Sequence, residues 1–443
     1  MKKLLLIIGD ITTFYFSLFT MLVLRYRANI NDDAVLAIHV APFSILFIIW
    51  ISVFYIAHLY EIEHQKNNEQ FFSNLTKIFV GLSTFSVLFF YFAPFFQIAP
   101  KINLLIFLAI EFVLITIWRL IYNNILVSRS SKNKVLIIGN KASELVAIIN
   151  DNQQLGFKIV DVINIENFES SSDIVKAIKH KKTNTVVISP EIFKQREIIN
   201  ALFSLLGSNI RFVKLADFTE QVTGKIPLES IDQVWFLENI SGDNSRLYDL
   251  SKRIVDISAS IIGLILASPL LLIATVGTKL SSPGPIFYRQ QRTGRNGKIF
   301  ELIKFRTMPH DIESKTGAVW ASTGDNRATY FGKFLRKTRI DELPQIINVL
   351  KGELSFVGPR PERPEFHQKL VDAIPFYDKR YLVTPGLTGW AQIKHKLDFD
   401  GGMTIKDTEE KVRHDLYYIK NRSIIMDISI LLKTIHILLR KVL

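Results

Sequence analysis

The sequence predicts three parts in series: an α-helical membrane bundle, an α/β Rossmann-like domain, and a mainly α catalytic domain with a re-entrant membrane helix. Three observations predict it. Residues 1–130 hold four apolar stretches, each near the roughly 20 residues a bilayer requires. Residues 131–247 alternate short apolar runs with helical ones, the pattern of a parallel sheet covered by helices. Residues 248–443 open on a long apolar run and continue as a basic tract punctuated by Gly and Pro. Composition fits this picture. The 443 residues are 48% hydrophobic yet carry a formal charge of +13. Most of that charge lies in residues 281–443, with 28 Lys and Arg against 18 Asp and Glu. Such a combination suits a membrane protein whose basic faces meet anionic lipid or phosphorylated substrates. No nucleic-acid-binding module accompanies the charge, so nucleic acid is not expected as a partner. The lack of cysteine excludes disulfides and thiolate metal sites.

The first span, MKKLLLIIGDITTFYFSLFTMLVLRYR, begins like a signal peptide but has no small-residue cleavage site and is long enough to cross. Further spans are expected near 36–59, 76–97 and 103–126. Lys2, Lys3, Lys66, Lys77, Arg129, Lys132 and Lys134 gather on one side, against Lys101 on the third connection. Arg25 and Arg27 on the first connection run counter to that bias without overturning it. Four spans then place both ends of the bundle in the cytoplasm. Glu111, inside the fourth span, is expected to serve helix packing or to meet a lipid headgroup.

In the α/β part, KVLIIG, FKIVDVI, TNTVVIS and NIRFVKL read as short buried strands, with helices near 142–152, 171–180 and 191–206. The first turn, IIGNKASELV, has Gly139 but no second or third glycine. A dinucleotide needs close backbone approach there, so cofactor binding is not expected and a structural or regulatory domain is. Residues 216–247 read as a linker.

The run YDLSKRIVDISASIIGLILASPLLLIATVGTKL, 248–280, is by default a fifth crossing. Three features favour re-entry. Asp256 lies in its first half. Ser268-Pro269 sits at its midpoint, where the missing N–H and the proline ring predict a helix break. Basic residues flank both ends, Lys252 and Arg253 before and Lys279, Arg289, Arg292 and Arg295 after. Tyr248 and Lys252 have the YxxxK spacing of short-chain dehydrogenases, but without a glycine-rich turn upstream they read as a coincidence at a helix start.

The chemistry concentrates in LRKTRIDELPQIINVLKGELSFVGPRPE, residues 335–362. Asp341 reads as an N-cap and Pro344 as a first-turn residue, with QIINVL continuing a helix whose N-terminus would suit an anion. Adjacent Asp341 and Glu342 repel each other and favour a divalent cation or a shared proton. Arg336, Lys337, Arg339 and Arg360 supply charge for a diphosphate and for negative charge developing at phosphorus. Pro359 and Pro361 fix the direction of Arg360, and Gly358 and Gly386 relieve backbone constraints beside it. These are the parts of phosphoryl transfer: nucleophile, metal, cationic clamp. An arbitrary acid pair at a helix start is merely a cap with a solvated neighbour. The density of special residues nearby argues for more here.

Residues 248–443 resemble the catalytic domain of the bacterial sugar transferases, the monotopic polyprenyl-phosphate glycosyl-1-phosphate transferases. The resemblance rests on KRIVDI, the Ser268-Pro269 pair, KFRTM, LRKTRIDELPQIINVLKGELSFVGPRPE and PGLTGWAQ. With the four spans and the α/β part it extends over the chain in the family's long form. It implies a UDP-hexose donor, UDP-glucose or UDP-galactose foremost, undecaprenyl phosphate as acceptor, Mg²⁺, and a re-entrant helix. It further implies a place at the cytoplasmic face of the bacterial inner membrane and a product that starts exopolysaccharide, capsule or O-antigen synthesis. By position, the resemblance implies that Asp341 attacks the sugar-bearing phosphate, releases UMP and forms an aspartyl phospho-sugar. Glu342 would hold Mg²⁺ or assist proton transfer. Arg336 and Arg360 would contact phosphate, followed by Lys304, Arg306, Gln290 and Arg292, with Lys337 and Glu362 completing the substrate-binding set. Ser268 and Pro269 would mark the re-entrant break, and Asp256 would be structural.

Two departures stand out. KHKLDFDGG, 394–402, replaces the Gly-Arg-Asn-like run that often follows WAQI in the family, which bears on donor selection, and the DNR at 325–327 lacks the proline frequent after its Asp. The C-terminal SIIMDISILLKTIHILLRKVL reads as an interfacial amphipathic helix. Two other classes compete. A membrane-tethered nucleotide-sugar dehydratase or epimerase is opposed by the missing glycine fingerprint. A non-catalytic scaffold of polysaccharide assembly is opposed by the intact dyad and clamp. Whether the chain forms a homo-oligomer is left open.

Overall fold

The structure, a computed structural model, describes residues 2–26, 33–62, 65–92, 101–130, 133–140, 142–164, 171–240, 245–309, 328–394 and 404–442. Both 325–327 and 395–402 lie outside them. The chain forms two compact units, Met1–Leu215 and Ala216–Leu443.

The first unit opens with α1 (Lys2–Tyr26), α2 (Asp33–Ile56), α3 (Glu69–Phe92) and α4 (Lys101–Ser130). Each is long and apolar enough to cross a membrane. α3 starts ahead of its apolar run because the Asn68 side chain accepts the Phe71 N–H at 2.9 Å and ends the helix there. The bundle interior is aromatic, with Phe14, Phe43, Phe47, Trp50 and Phe107 buried together. Lipid tails are as apolar as these rings, so polar contacts help decide which helix faces meet. Arg119 of α4 donates to Asp10 of α1 at 2.6 Å, both fully buried. Glu111 accepts from Thr13 at 3.0 Å and Ser17 at 2.7 Å, which gives it the helix-packing role of the two expected.

Four parallel strands follow, β1 (Lys134–Ile138), β2 (Lys158–Ile163), β3 (Thr185–Ile188) and β4 (Arg211–Lys214), in the order β2-β1-β3-β4. α5 (Ser143–Asp151), α6 (Ser171–His180) and α7 (Arg196–Phe203) alternate with them. A Cβ on Gly139 would sit 2.3 Å from the Ser189 side chain, so this glycine lets the ends of β1 and β3 close together. The next N–H, of Asn140, donates to the Glu191 carboxylate at 3.1 Å. Lys2 Nζ donates to the Leu155 carbonyl at 2.7 Å, tying the start of α1 to the turn after α5.

In the second unit, α8 (Leu215–Thr223) and α9 (Gln233–Asn239) occupy the stretch expected to be a linker. Ile226, Leu228 and Trp235 are instead buried in the core with Val357, Tyr377 and Leu416. The division between compact units falls at 215/216, so this stretch belongs with the residues that follow it.

α10 (Ser245–Ser281) runs through Pro269 as one helix, the fifth that is long and apolar enough to cross. The break expected at Ser268-Pro269 is therefore corrected. Proline leaves the carbonyl four residues back, that of Ile265, without its donor, and Ser268 Oγ donates to that carbonyl at 2.7 Å. Both halves of α10 pack on this unit. Arg253 donates to the Val349 and Leu350 carbonyls at 2.6 Å each, while Ala274 is buried with Phe305 and Leu335. Asp256 accepts the Phe356 N–H at 3.2 Å.

The rest comprises an antiparallel hairpin, β5 (Phe287–Thr293) with β6 (Ile299–Phe305), then α11 (Tyr330–Thr338), α12 (Gln345–Lys351), β7 (Ser355–Val357), α13 (Pro364–Ala373), β8 (Gly386–Thr388), α14 (Trp390–Lys394), α15 (Ile405–Asn421) and α16 (Ile424–Val442). β7 and β8 pair in parallel. α16 has two unlike faces, and the core claims one of them: Ile430 and Lys433 are buried, and Asp427 binds Tyr248, Lys252 and Tyr418 at 2.7–2.8 Å. The YxxxK pair thus holds α10 to α16. Ile425, Ile428 and Ile435 remain exposed on the other face.

Candidate active site

Asp341 and Glu342 lie in a single 3-10 turn, Ile340–Glu342, between α11 and α12. Asp341 caps no helix, which corrects the expected N-cap: Pro344 precedes α12, and that seven-residue helix is too short to act as an anion site. The turn is set by Arg339, whose φ of 58° and ψ of 16° end α11 in the left-handed region. That conformation is costly for a residue with a Cβ, and it aims the Arg339 side chain back at Glu342.

Three cations converge on Glu342 Oε1: Lys304 Nζ at 2.9 Å, and guanidinium nitrogens of Arg339 and Arg360 at 3.4 Å each. Each comes from a different element. Lys304 sits on β6, where Asn348 of α12 clamps the strand by accepting the Ile303 N–H at 3.1 Å and donating to the Glu301 carbonyl at 2.7 Å. Arg360 follows β7, and its carbonyl accepts from Arg380 at 3.0 Å. Arg380, fully buried, also donates to Asp415 of α15 at 2.7 Å. The glycines beside it serve close approach: a Cβ on Gly386 would lie 2.1 Å from the Gly358 nitrogen, and one on Gly358 would lie 2.5 Å from the Thr384 carbonyl oxygen.

Asp341 is 8% exposed, and its Oδ1 has no hydrogen-bond partner among the described residues. Burial, then the charge of Glu342, pushes its carboxyl up to about 6, against the pull of Lys304, Arg339 and Arg336. Burial would raise Glu342 too, but Lys304, Arg360 and Arg339 outweigh it and hold that carboxyl well below the usual range. The two neighbouring acids are thus pushed apart, one anchored as an anion and the other more basic than an ordinary carboxylate.

Of the other expected residues, Arg336 is near enough to act on Asp341 electrostatically, and its Nε donates to Thr307 at 2.9 Å. Gln290 and Arg292 share one face of β5. Arg292 donates to Gln290 at 2.7 Å and to the Pro361 carbonyl at 3.0 Å, so it braces the Arg360 segment. Glu362 is buried, 4.0 Å from Arg380. Arg306 is buried and donates to the Ser282 and Pro283 carbonyls at 2.6 and 3.0 Å, which ties the end of α10 to the hairpin. Lys337 is exposed on α11. Sequence reasoning missed Thr307, Arg380 and Asp415. The last two lie 35 residues apart, and no local pattern links them.

Among the described residues no group of three acidic or histidine side chains could hold a metal. Mg²⁺ needs fewer, because it takes one or two carboxylates along with substrate phosphates and water. The dyad carboxylates, Glu342 foremost, fit that donor set.

The bacterial sugar transferase family matches residues 247–441. The chain is 42% identical over 234 residues to a UDP-N-acetylgalactosamine-undecaprenyl-phosphate N-acetylgalactosaminephosphotransferase of Aeromonas hydrophila, covering 52% of this chain and 53% of the relative. It is 34% identical over 273 residues to a UDP-glucose:undecaprenyl-phosphate glucose-1-phosphate transferase of Xanthomonas campestris pv. campestris, covering 59% and 54%. A protein of Escherichia coli (strain K12) with the same description is 32% identical over 317 residues, covering 69% and 67%. The chain thus spans about half the length of the first two of these relatives. Motifs, site and alignments agree that the chain belongs to the bacterial sugar transferase family.

Proposed function

We propose that this protein transfers a hexose-1-phosphate from a UDP-hexose to undecaprenyl phosphate, releasing UMP, as the first step in building a surface polysaccharide. The observation that carries the reading is the buried, partnerless Oδ1 of Asp341 beside a Glu342 that gathers three cations. A desolvated carboxylate raised to about 6 is still mostly ionised at neutral pH and is a better nucleophile than an exposed one. In the first step Asp341 Oδ1 forms a bond to the sugar-bearing phosphorus and the bond from that phosphorus to UMP breaks. In the second, an oxygen of the lipid phosphate attacks the same phosphorus and the Asp341 carboxylate leaves. No net proton is required in either displacement. Lys304, Arg339 and Arg360 balance the charge of the diphosphate and of the equatorial oxygens. Arg339 and Arg360, the two longer contacts of Glu342, are the guanidiniums able to turn from the carboxylate to phosphate. Mg²⁺ would be held by Glu342 with the donor's diphosphate, and would neutralise the departing UMP.

The relatives' names include both glucose and N-acetylgalactosamine, so the donor is assigned only as a UDP-hexose. Packing of both halves of α10 on one unit supports re-entry from the cytoplasmic leaflet of the inner membrane, where UDP-sugars are available. The test is UMP release by purified protein with Mg²⁺ and undecaprenyl phosphate across UDP-glucose, UDP-galactose and UDP-N-acetylgalactosamine, in wild type and Asp341→Asn. Release with one donor, absent in the variant, is the expected result. Release that persists in the variant would overturn the covalent role of Asp341.

A further inference from the structure

Away from the dyad, a cavity of about 280 Å³ lies against the first turns of α10. Lys252, Arg253, Arg295 and Arg422 line it, against Asp249 and Asp256. Two of the cations are committed to the fold: Lys252 to Asp427, and Arg253 to the Val349 and Leu350 carbonyls. Arg295 and Arg422 are arranged differently. Both converge on one carboxylate, Asp249, at 3.2 and 2.8 Å. Arg422 also lies over the Tyr248 ring, 5.3 Å from its centroid. One acid between two guanidiniums orients both yet leaves a net positive charge, and each guanidinium has five N–H donors to distribute. Such paired forks match the tetrahedral oxygens of phosphate better than a single carboxylate.

The surroundings indicate where that phosphate comes from. α10 carries exposed Leu250 and Ile254 on the turns that supply the cavity wall, and α16, held to α10 through Asp427, carries exposed Ile425 just beyond Arg422. Farther along α10, Ile261, Ile262, Ile265 and Leu266 are exposed as well. Apolar surface of that extent is covered by bilayer, and a basic cavity at its edge stands at headgroup level. We propose that this cavity seats the phosphate of an anionic phospholipid headgroup through Arg295 and Arg422, and so fixes the depth of α10 in the leaflet. The proposal rests on the membrane reading of α10 but requires no sugar transfer, so the two fail separately.

The test is native mass spectrometry of the full chain released from micelles containing phosphatidylglycerol or phosphatidylcholine. Wild type is expected to retain one phosphatidylglycerol about tenfold more than phosphatidylcholine, and Arg295→Gln and Arg422→Gln are each expected to lower that retention about tenfold. Arg295 sits in a surface turn, so its variant decides the matter if Arg422→Gln fails to fold. Equal retention of the two lipids, or wild-type retention in Arg295→Gln, would overturn the site. The same loss in Arg289→Gln, a surface cation outside the cavity, would reduce it to bulk charge attraction. Displacement of the lipid by millimolar inorganic phosphate would make it a soluble-anion site and overturn the lipid assignment.

Discussion

Asp341 is held in an environment that opposes its own charge. Its carboxyl is raised from an ordinary 3.8 to about 6 by burial and by Glu342. Between those values the folded protein binds a proton that the unfolded chain has lost, so this residue's contribution to stability falls as pH rises from about 4 to 6. By pH 7 that cost is fully present. Asp341→Asn is therefore expected to stabilise the protein by about 1–3 kcal/mol at pH 7, with the gain vanishing near pH 4, while UMP release is lost. Thermal melts across that pH range check it, and a variant less stable than wild type at pH 7 would refute the account. The reverse holds for Glu342, whose lowered carboxyl contributes stability at neutral pH that disappears only in strong acid. The proposed displacement uses Asp341 ionised, so kcat/KM should rise about tenfold per pH unit on the acid side and level off above about pH 6. A profile that stays flat from pH 7 down to pH 5 would remove Asp341 as the reacting base form.

The turn and the strand pair that carry the site can be perturbed separately. Arg339 is in the left-handed region, where glycine is at ease and arginine is not. Arg339→Gly should leave stability unchanged or raise it by up to about 1 kcal/mol, yet slow UMP release by removing one of the three cations at Glu342. Loss of both folding and activity would mean that the strain is compensated by contacts beyond Glu342. Gly386 is the opposite case, since a Cβ there meets backbone at 2.1 Å and 2.6 Å. Gly386→Ala should cost several kcal/mol and pull Arg360 out of register with the dyad, measurable as a lowered melting temperature together with lost activity. The elements that were legible in the sequence were those whose cause is local. The strands of residues 134–215 are apolar runs bounded by turn residues, and the dyad declares itself through the acids, arginines, prolines and glycines crowded around it. Features settled by distant partners were not legible. Pro269 reads as a break unless Ser268 Oγ is known to reach the Ile265 carbonyl. Ile226 and Trp235 look like linker residues until Leu416 packs against them. Arg306 stands two residues beyond Lys304, a spacing that keeps both on one face of a strand, but β6 ends at Phe305 and Arg306 turns to the Ser282 and Pro283 carbonyls instead of the dyad.

At the scale of the molecule, the path of α10 decides which side of the membrane the chemistry occupies. A straight helix from Arg253 to Gly277 would be about 36 Å long, enough to cross the hydrocarbon core. Yet Arg253 is bonded to the end of α12, and a Cβ on Gly277 would lie 2.3 Å from the ring of Phe331, at the start of α11. The dyad sits in the turn between those two helices. A crossing would stretch α11 and α12 through the bilayer with Asp341 and Glu342 at mid-depth, where two adjacent carboxylates and their water-soluble donor would be strongly disfavoured. Both ends of α10 are therefore expected on the same aqueous side. The cysteine-free sequence makes the check direct. Leu247, exposed ahead of the apolar run, and Asn296, in the exposed turn of the hairpin after it, can each be replaced by a single cysteine. In intact cells neither Leu247→Cys nor Asn296→Cys should react with a membrane-impermeant maleimide, and both should react in inverted vesicles. Labelling of Asn296→Cys alone from outside would establish a fifth crossing and place the hairpin carrying Lys304 away from the nucleotide pool. Labelling of both from outside would reverse the orientation drawn from the lysines and arginines that flank the first four helices.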